Sequence, residues 1–392
     1  MIARPISRRL PFASRHHARS GAAAKWRRTA FALLWVAVIA PGASIVYAQT
    51  QSYALETLAE DLRWPWSFAL LPDGSFLVTE REGRLLHVGP GRKRTTVTGT
   101  PDTLFAGQGG YFDIVLHPRF DETQWVFLSY AAGDERSNRT TVLRARYEDD
   151  QLVDGKTILS VKPDKSTPQH YGGRLLFLRD ESLLVTSGEG FEHREQAQSL
   201  DSELGKVLRI DVSGNPGGLM VKGQKSRSRI WSYGHRNPQG IVLIPDTGEV
   251  LLHEHGPRGG DELNLVERGA NYGWPLATYG VDYSGAYVSP FQRVAGMQEP
   301  LWKWVPSIAP SGMAWYNGAR FPGWRNSLFI GALVDREVRR LEFFNGVVQR
   351  EEALFPELDE RIRDVRVFDD RIFILTDGEQ GRLIEVLPRW GS

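Results

Sequence analysis

The chain has 392 residues, of which 41% are hydrophobic and 24% charged, an ordinary globular balance that excludes global disorder. Its formal net charge of +1 is uneven, because residues 1–48 carry eight Lys or Arg and no acid. Taking those eight from the 48 basic residues leaves 40 against 47 acidic ones, a net of −7, which argues against a nucleic-acid partner.

The N-terminus reads as an export signal. A basic segment precedes the apolar run Thr29–Ala48, which Pro41 and Gly42 interrupt. Val46-Tyr47-Ala48 suits small-residue cleavage, leaving a mature chain of residues 49–392, periplasmic or secreted. Without cleavage the run is just long enough to anchor in a bilayer; with it, no stable membrane insertion is expected. There is no cysteine, so neither a disulfide nor a lipidated Cys is available, and a chain of this size can build its core without them.

One strand–turn–strand unit then recurs six times: from Trp66 (WSFALLPDGSFLVTEREGRLLHV), Phe112 (FDIVLHPRFDETQWVFLSYA, then TTVLRARY), Gly173, Gly240, Gly312 and Ile362. Period-2 alternation with β-branched and aromatic residues marks strands, and no long amphipathic helix competes. Six such copies predict an all-β, six-bladed β-propeller, a single domain over 49–392, in preference to paired β-sandwiches.

The loops ahead of four copies carry chemistry. AGQGG places Gln108 before the second, PQHYGGRL places His170 before the third, YGHRNPQG places Arg236 and Asn237 before the fourth, and ERIRDV places Arg361 and Arg363 before the sixth. Their equivalent positions predict one shared mouth. A histidine among three arginines suits a base beside a ligand with several carboxylates or phosphates. Taken singly, each has a plainer reading: a hydrogen-bonded loop histidine, a turn glutamine, arginines paired with Asp359 and Asp364. The segment Trp231–Pro275 is the richest in polar groups. His253 and His255 share a strand face there but lack a third spaced ligand, so zinc is weak, and Asp261-Glu262 favours an ion such as calcium.

With GQGG, HYGGRL, SYGHRNPQG, EHGPRGGDELN, ANYGWP, SIAPSGMAWY and RIRDVR in order from Leu58 to Pro388, the chain resembles the soluble PQQ (pyrroloquinoline quinone)-dependent glucose/sorbosone dehydrogenases, especially the periplasmic aldose sugar dehydrogenases. The resemblance implies a six-bladed propeller with the quinone over its channel, oxidising the C1 hydroxyl of aldoses to lactones and passing electrons to a separate acceptor. It implies that His170 is the base, that Glu189 orients it and stabilises its protonated form, and that Arg236 stands by the quinone carbonyl that gains charge. Gln108, Arg236 and Asn237 would surround the cofactor, and Arg361 and Arg363 would hold its carboxylates. Gly256 and Pro257 would offer carbonyls to a calcium ion, with Glu262 and the Tyr272 main chain at a second one. Val334 departs from the pattern, standing where relatives often have a lysine, and the loops 188–200 and 214–229 differ too. Two other readings remain: a calcium-dependent lactone hydrolase and a non-catalytic binding propeller.

Overall fold

The computed structural model describes residues 52–219 and 228–389; the expected signal segment lies outside them. Among the described residues no helix is long and apolar enough to cross a membrane.

The first strand, β1 (Tyr53–Leu62), belongs to the last blade. Blade 1 is β2 (Pro65–Leu70), β3 (Phe76–Glu80), β4 (Arg84–Val88) and β5 (Arg94–Thr96). Blade 2 is β6 (Tyr111–Leu116), β7 (Trp125–Asp134), β8 (Ser137–Glu148) and β9 (Gln151–Ser160). Blade 3 is β10 (Gly172–Phe177), β11 (Leu183–Ser187), β12 (Lys206–Ile210) and β13 (Ile230–Tyr233). Blade 4 is β14 (Pro238–Leu243), β15 (Val250–Glu254), β16 (Asp261–Leu265) and β17 (Trp302–Trp304). Blade 5 is β18 (Pro310–Tyr316), β19 (Ser327–Ala332), β20 (Val338–Phe344) and β21 (Val347–Leu354). Blade 6 is β22 (Ile362–Phe368), β23 (Arg371–Thr376) and β24 (Gly381–Pro388), completed by β1, which pairs antiparallel with β24 from Tyr53↔Pro388 to Leu62↔Gly381.

The first strands of successive blades, β2, β6, β10, β14, β18 and β22, touch in that order and close back on β2, which makes the expected six-bladed propeller. Each blade has a fourth, outer strand beyond the repeat unit legible in the sequence.

The core lies between blades. Along β23, Ile372 and Ile374 face blade 5 while Phe373 and Leu375 face blade 1. Along β19, Leu328 and Ile330 face blade 4 while Phe329 faces blade 6. Successive side chains point to opposite faces of a strand, and here both faces meet a neighbouring sheet, so the second strands carry apolar side chains on both faces. Phe373, fully buried, has Phe76 edge-on at 5.3 Å and Phe68 at 6.3 Å between their rings.

The channel is not open. Arg174 lies 4.0 Å over the Trp66 ring and pairs with Asp364 at 3.1 Å, and its Nε donates to the Gln239 carbonyl at 2.7 Å. Arg366 pairs with Asp364 at 2.9 Å and with Asp113. This buried ionic plug separates a cavity at one mouth from another of about 510 Å³, walled by inner-strand apolar side chains, at the other.

Candidate active site

The mouth on the Trp66 side of the plug holds a cavity of about 560 Å³, within the usual range for a small-molecule site. Gln108, Asn237, Arg361 and Arg363 all line it, so loops ahead of blades 2, 4 and 6 do converge. Trp64, Trp66, Phe112 and Tyr171 supply flat apolar walls.

His170 is not itself a wall residue of this cavity but directly precedes two that are, Tyr171 and Gly172; it is 4% exposed and in a left-handed backbone conformation with φ 48°. That conformation is costly for a residue with a Cβ and persists where surroundings over-determine it. Here the His170 amide donates to Gln108 Oε1 at 2.8 Å, so the glutamine between glycines holds the histidine's backbone. The adjoining Gly188 cannot carry a side chain, since a Cβ would meet the His170 carbonyl oxygen at 2.2 Å. His170 Nδ1 lies 2.9 Å from Glu189 Oε1, and the other ring nitrogen is left to meet a substrate. Burial, with Arg236, His255 and Lys165 adding to it, pushes the imidazole well below its ordinary pKa. Burial pushes the Glu189 carboxyl up to about 7 despite Arg236 and other nearby cations.

Arg361 and Arg363 do not pair with Asp359 and Asp364. Both reach Asp377, Arg361 Nε at 3.0 Å and Arg363 Nη2 at 3.1 Å. Burial pushes the Asp377 carboxyl up, but Arg363 and Arg361 outweigh it and hold it below the usual range. Arg81 adds a third cation, and burial and the like charge of Arg363 lower its pKa. Three arginines against one aspartate make this wall an anion site, which fits a ligand bearing carboxylates. Val334, at the same cavity, is 58% exposed and contributes no charge.

Arg236 stands apart from that cavity's wall. Its Nη1 donates to the Gly256 carbonyl at 2.6 Å and to that of His255 at 3.1 Å, and its guanidinium lies 5.2 Å from the centre of the Trp274 ring. The Gly256 oxygen proposed for calcium is therefore an arginine's acceptor, and a cation there would compete with Arg236. Pro257 lies beyond, on a side cavity. The second expected calcium position adjoins the first. Glu262 and Tyr272 share an ion-sized void of about 10 Å³ with Glu254, and Arg236 and Gly256 line it too. Burial, then the Glu254 charge, pushes the Glu262 carboxyl up to about 8, a penalty that a bound cation would relieve. Among the described residues no three His, Asp, Glu or Cys side chains gather as a metal cluster, so carbonyls such as that of Tyr272 would have to complete the shell.

Three residues escaped the sequence reading. Asp377 follows β23 in a Thr-Asp-Gly turn, where an acid is ordinarily a turn former. Arg81 follows β3 and binds the Gly107 and Gly109 carbonyls, shaping the AGQGG loop. His255, set aside with His253, lines the main cavity with Nε2 at 2.6 Å from the Pro310 carbonyl oxygen. His253 is buried elsewhere, against Gly240.

A family model described as Glucose / Sorbosone dehydrogenase matches residues 62–385. The aldose sugar dehydrogenase YliI of Escherichia coli is 40% identical over 359 residues, covering 88% of this chain and 96% of that protein. The crystal structure of the soluble E. coli aldose sugar dehydrogenase in its apo form superposes with a TM-score of 0.82 at 40% identity, covering 86% of this chain and 100% of that one. The PQQ-bound aldose sugar dehydrogenase of Streptomyces coelicolor superposes at 0.70 with 25% identity, covering 86% and 99%.

Proposed function

The chain belongs to the glucose/sorbosone dehydrogenase family, and from that premise we propose that it is an exported, periplasmic or secreted PQQ-dependent enzyme that oxidises aldoses at C1 to lactones and passes the electrons to a separate acceptor. The observation that carries this reading is the His170–Glu189 pair, held by Gln108 beside the wall residues Tyr171 and Gly172 of a cavity that Arg81, Arg361 and Arg363 also line. When bound, PQQ supplies a two-electron acceptor that the side chains themselves lack.

The arginine wall would hold the cofactor carboxylates, the flat faces of Trp64 and Trp66 would flank its rings, and Gln108 and Asn237 would offer hydrogen bonds. His170 takes the proton of the sugar's C1 hydroxyl on Nε2 while the C1 hydrogen leaves as hydride. Its depressed pKa keeps the imidazole neutral, and so able to accept a proton, throughout the neutral range. Arg236, fixed by two carbonyls, would stand close to charge that develops during the transfer. Calcium, held at Glu262 and the Tyr272 carbonyl, would brace the loop that carries this arginine's acceptors.

The test is reconstitution of the purified protein with PQQ and calcium, followed by dye reduction across an aldose panel. Reduction that depends on both quinone and sugar is expected. Bound quinone with no reduction by any aldose would overturn the reading, and lactone hydrolysis without quinone would favour a hydrolase.

A further inference from the structure

Behind the catalytic pair lies a second cavity of about 230 Å³, formed by Glu189, Phe191, Arg194, Arg236, Pro257, Trp274, Asp282 and Tyr283. It shares no wall residue with the larger cavity. Three of its residues carry buried polar atoms without a hydrogen-bond partner: Glu189 Oε2, Arg236 Nε and Trp274 Nε1. Orphaned buried polar atoms are rare and costly, and three of the residues around this cavity carry one. Glu189 thus has two different oxygens. Oε1 meets His170 Nδ1, and Oε2 is unpaired on a residue that lines the side cavity. At the outer end, Arg194 and Asp282 form a loose ion pair at 3.6 Å, each about a third exposed, beside Tyr283, which is 60% exposed. Phe191, a wall residue of this cavity, stands with its ring edge-on to His170 at 5.2 Å.

We propose that the proton His170 takes from the substrate leaves through Glu189 into this side cavity and out past the Arg194–Asp282 pair, so that Glu189 is a proton relay as well as a support for the imidazole. The inference rests on the dehydrogenase reading. As the substrate O–H bond breaks and Nε2–H forms, the Nδ1 proton passes to Glu189 Oε1. A proton already on the carboxyl is released at the same time towards the side cavity that Glu189 lines. No electrons move in the relay, and one proton enters and one leaves. The surrounding charges favour this direction. Arg236, His255 and Lys165 all disfavour imidazolium at His170, while burial pushes the Glu189 carboxyl up to about 7 against Arg236, the Phe191 amide, Arg194 and Lys165, so that it is partly protonated at neutral pH.

Two measurements test this, one of them free of cofactor. In the apo protein, infrared spectra should show a protonated carboxyl band at pH 6 that fades towards pH 8 and that Glu189→Gln removes, and nitrogen NMR should show His170 neutral throughout. A His170 imidazolium beside an ionised carboxylate would overturn the relay, whether or not the enzyme proves to be a sugar dehydrogenase. In the reconstituted enzyme, Glu189→Gln keeps an acceptor for Nδ1–H but cannot pass a proton on, so turnover should fall about 100-fold. In Glu189→Ala, added formate should restore at least about tenfold of the loss, and Asp282→Asn should raise the solvent isotope effect on turnover. Turnover of Glu189→Gln within about threefold of wild type, or no rescue of Glu189→Ala, would overturn it. An inactive wild type that keeps the infrared signature would sink the dehydrogenase reading alone.

Discussion

His170 combines a backbone conformation that side chains avoid with a ring held on one nitrogen by Glu189. Both features fix where the other nitrogen stands, which is what a general base requires. His170→Ala should therefore leave PQQ affinity within about threefold while lowering turnover by about two to four orders of magnitude, read as equilibrium quinone binding against steady-state dye reduction. Lost binding with preserved chemistry would contradict the assignment. Arg363→Ala should do the reverse. Removing one charge-assisted contact costs about 1.5–3 kcal/mol, roughly ten- to hundredfold in quinone affinity, with a smaller effect on turnover at saturating quinone. Gln108, His170, Asn237, Arg361 and Arg363 were legible in the sequence because equivalent loops of a repeat must share a mouth. Asp377 and Arg81 were not, because an acid or a base after a strand is the commonest of surface residues, and only the fold turns it inward. His255 was hidden by its neighbour: two histidines at i, i+2 look like one group, yet here one lines the cavity and the other is packed under Gly240.

A blade is a four-stranded sheet pressed between two others, and the sequence disclosed its inner three strands but never the fourth. β5 and β17 span only three residues each, and β9 and β21 are largely exposed, so no apolar alternation announces them. β17 also stands beyond the long 266–301 connection, too far from β16 for a repeat pattern to include it. That same connection, starting from β16, carries Tyr272 to the Glu262 pocket. The Glu262 carboxyl is raised in the folded protein to about 8, so its protonated form is favoured there. Without metal, its contribution to stability is present below the ordinary carboxylate pKa and is lost as pH rises towards 8. Calcium needs the ionised form, so its stabilising effect should grow over the same window. We expect the calcium-induced rise in Tm to be small at pH 5.5 and on the order of 5 °C at pH 8.5, and to vanish in Glu262→Gln. A rise independent of pH, or retained in Glu262→Gln, would place the ion elsewhere.

At the scale of the molecule, six copies gave the number of blades, but not how the ring is fastened. The sixth copy lacks its outer strand, and β1, which precedes the first copy and resembles none of them, fills the gap. Two of its side chains, Ala59 and Leu62, are buried between blades 6 and 1. Leu62→Ala should cost about 2–5 kcal/mol, seen as a lower urea midpoint with an unchanged slope. Deleting residues 52–62 should abolish cooperative unfolding altogether. A truncated chain with the wild-type midpoint would show that the ring closes without this strand.

Because β1 pairs with β24, the first folded residues of the chain wait for the last. A ribosome delivers Tyr53 long before Pro388, so five blades and part of the sixth are complete while a bare strand edge still lacks its partner. That interval favours slow, late closure and leaves the nascent chain open to edge-to-edge association. The fastening that makes the finished ring durable is thus also what makes its birth hazardous. A chain held back from closing, by a chaperone or by threading through a pore, would lose nothing, since its lock cannot turn until the final strand arrives.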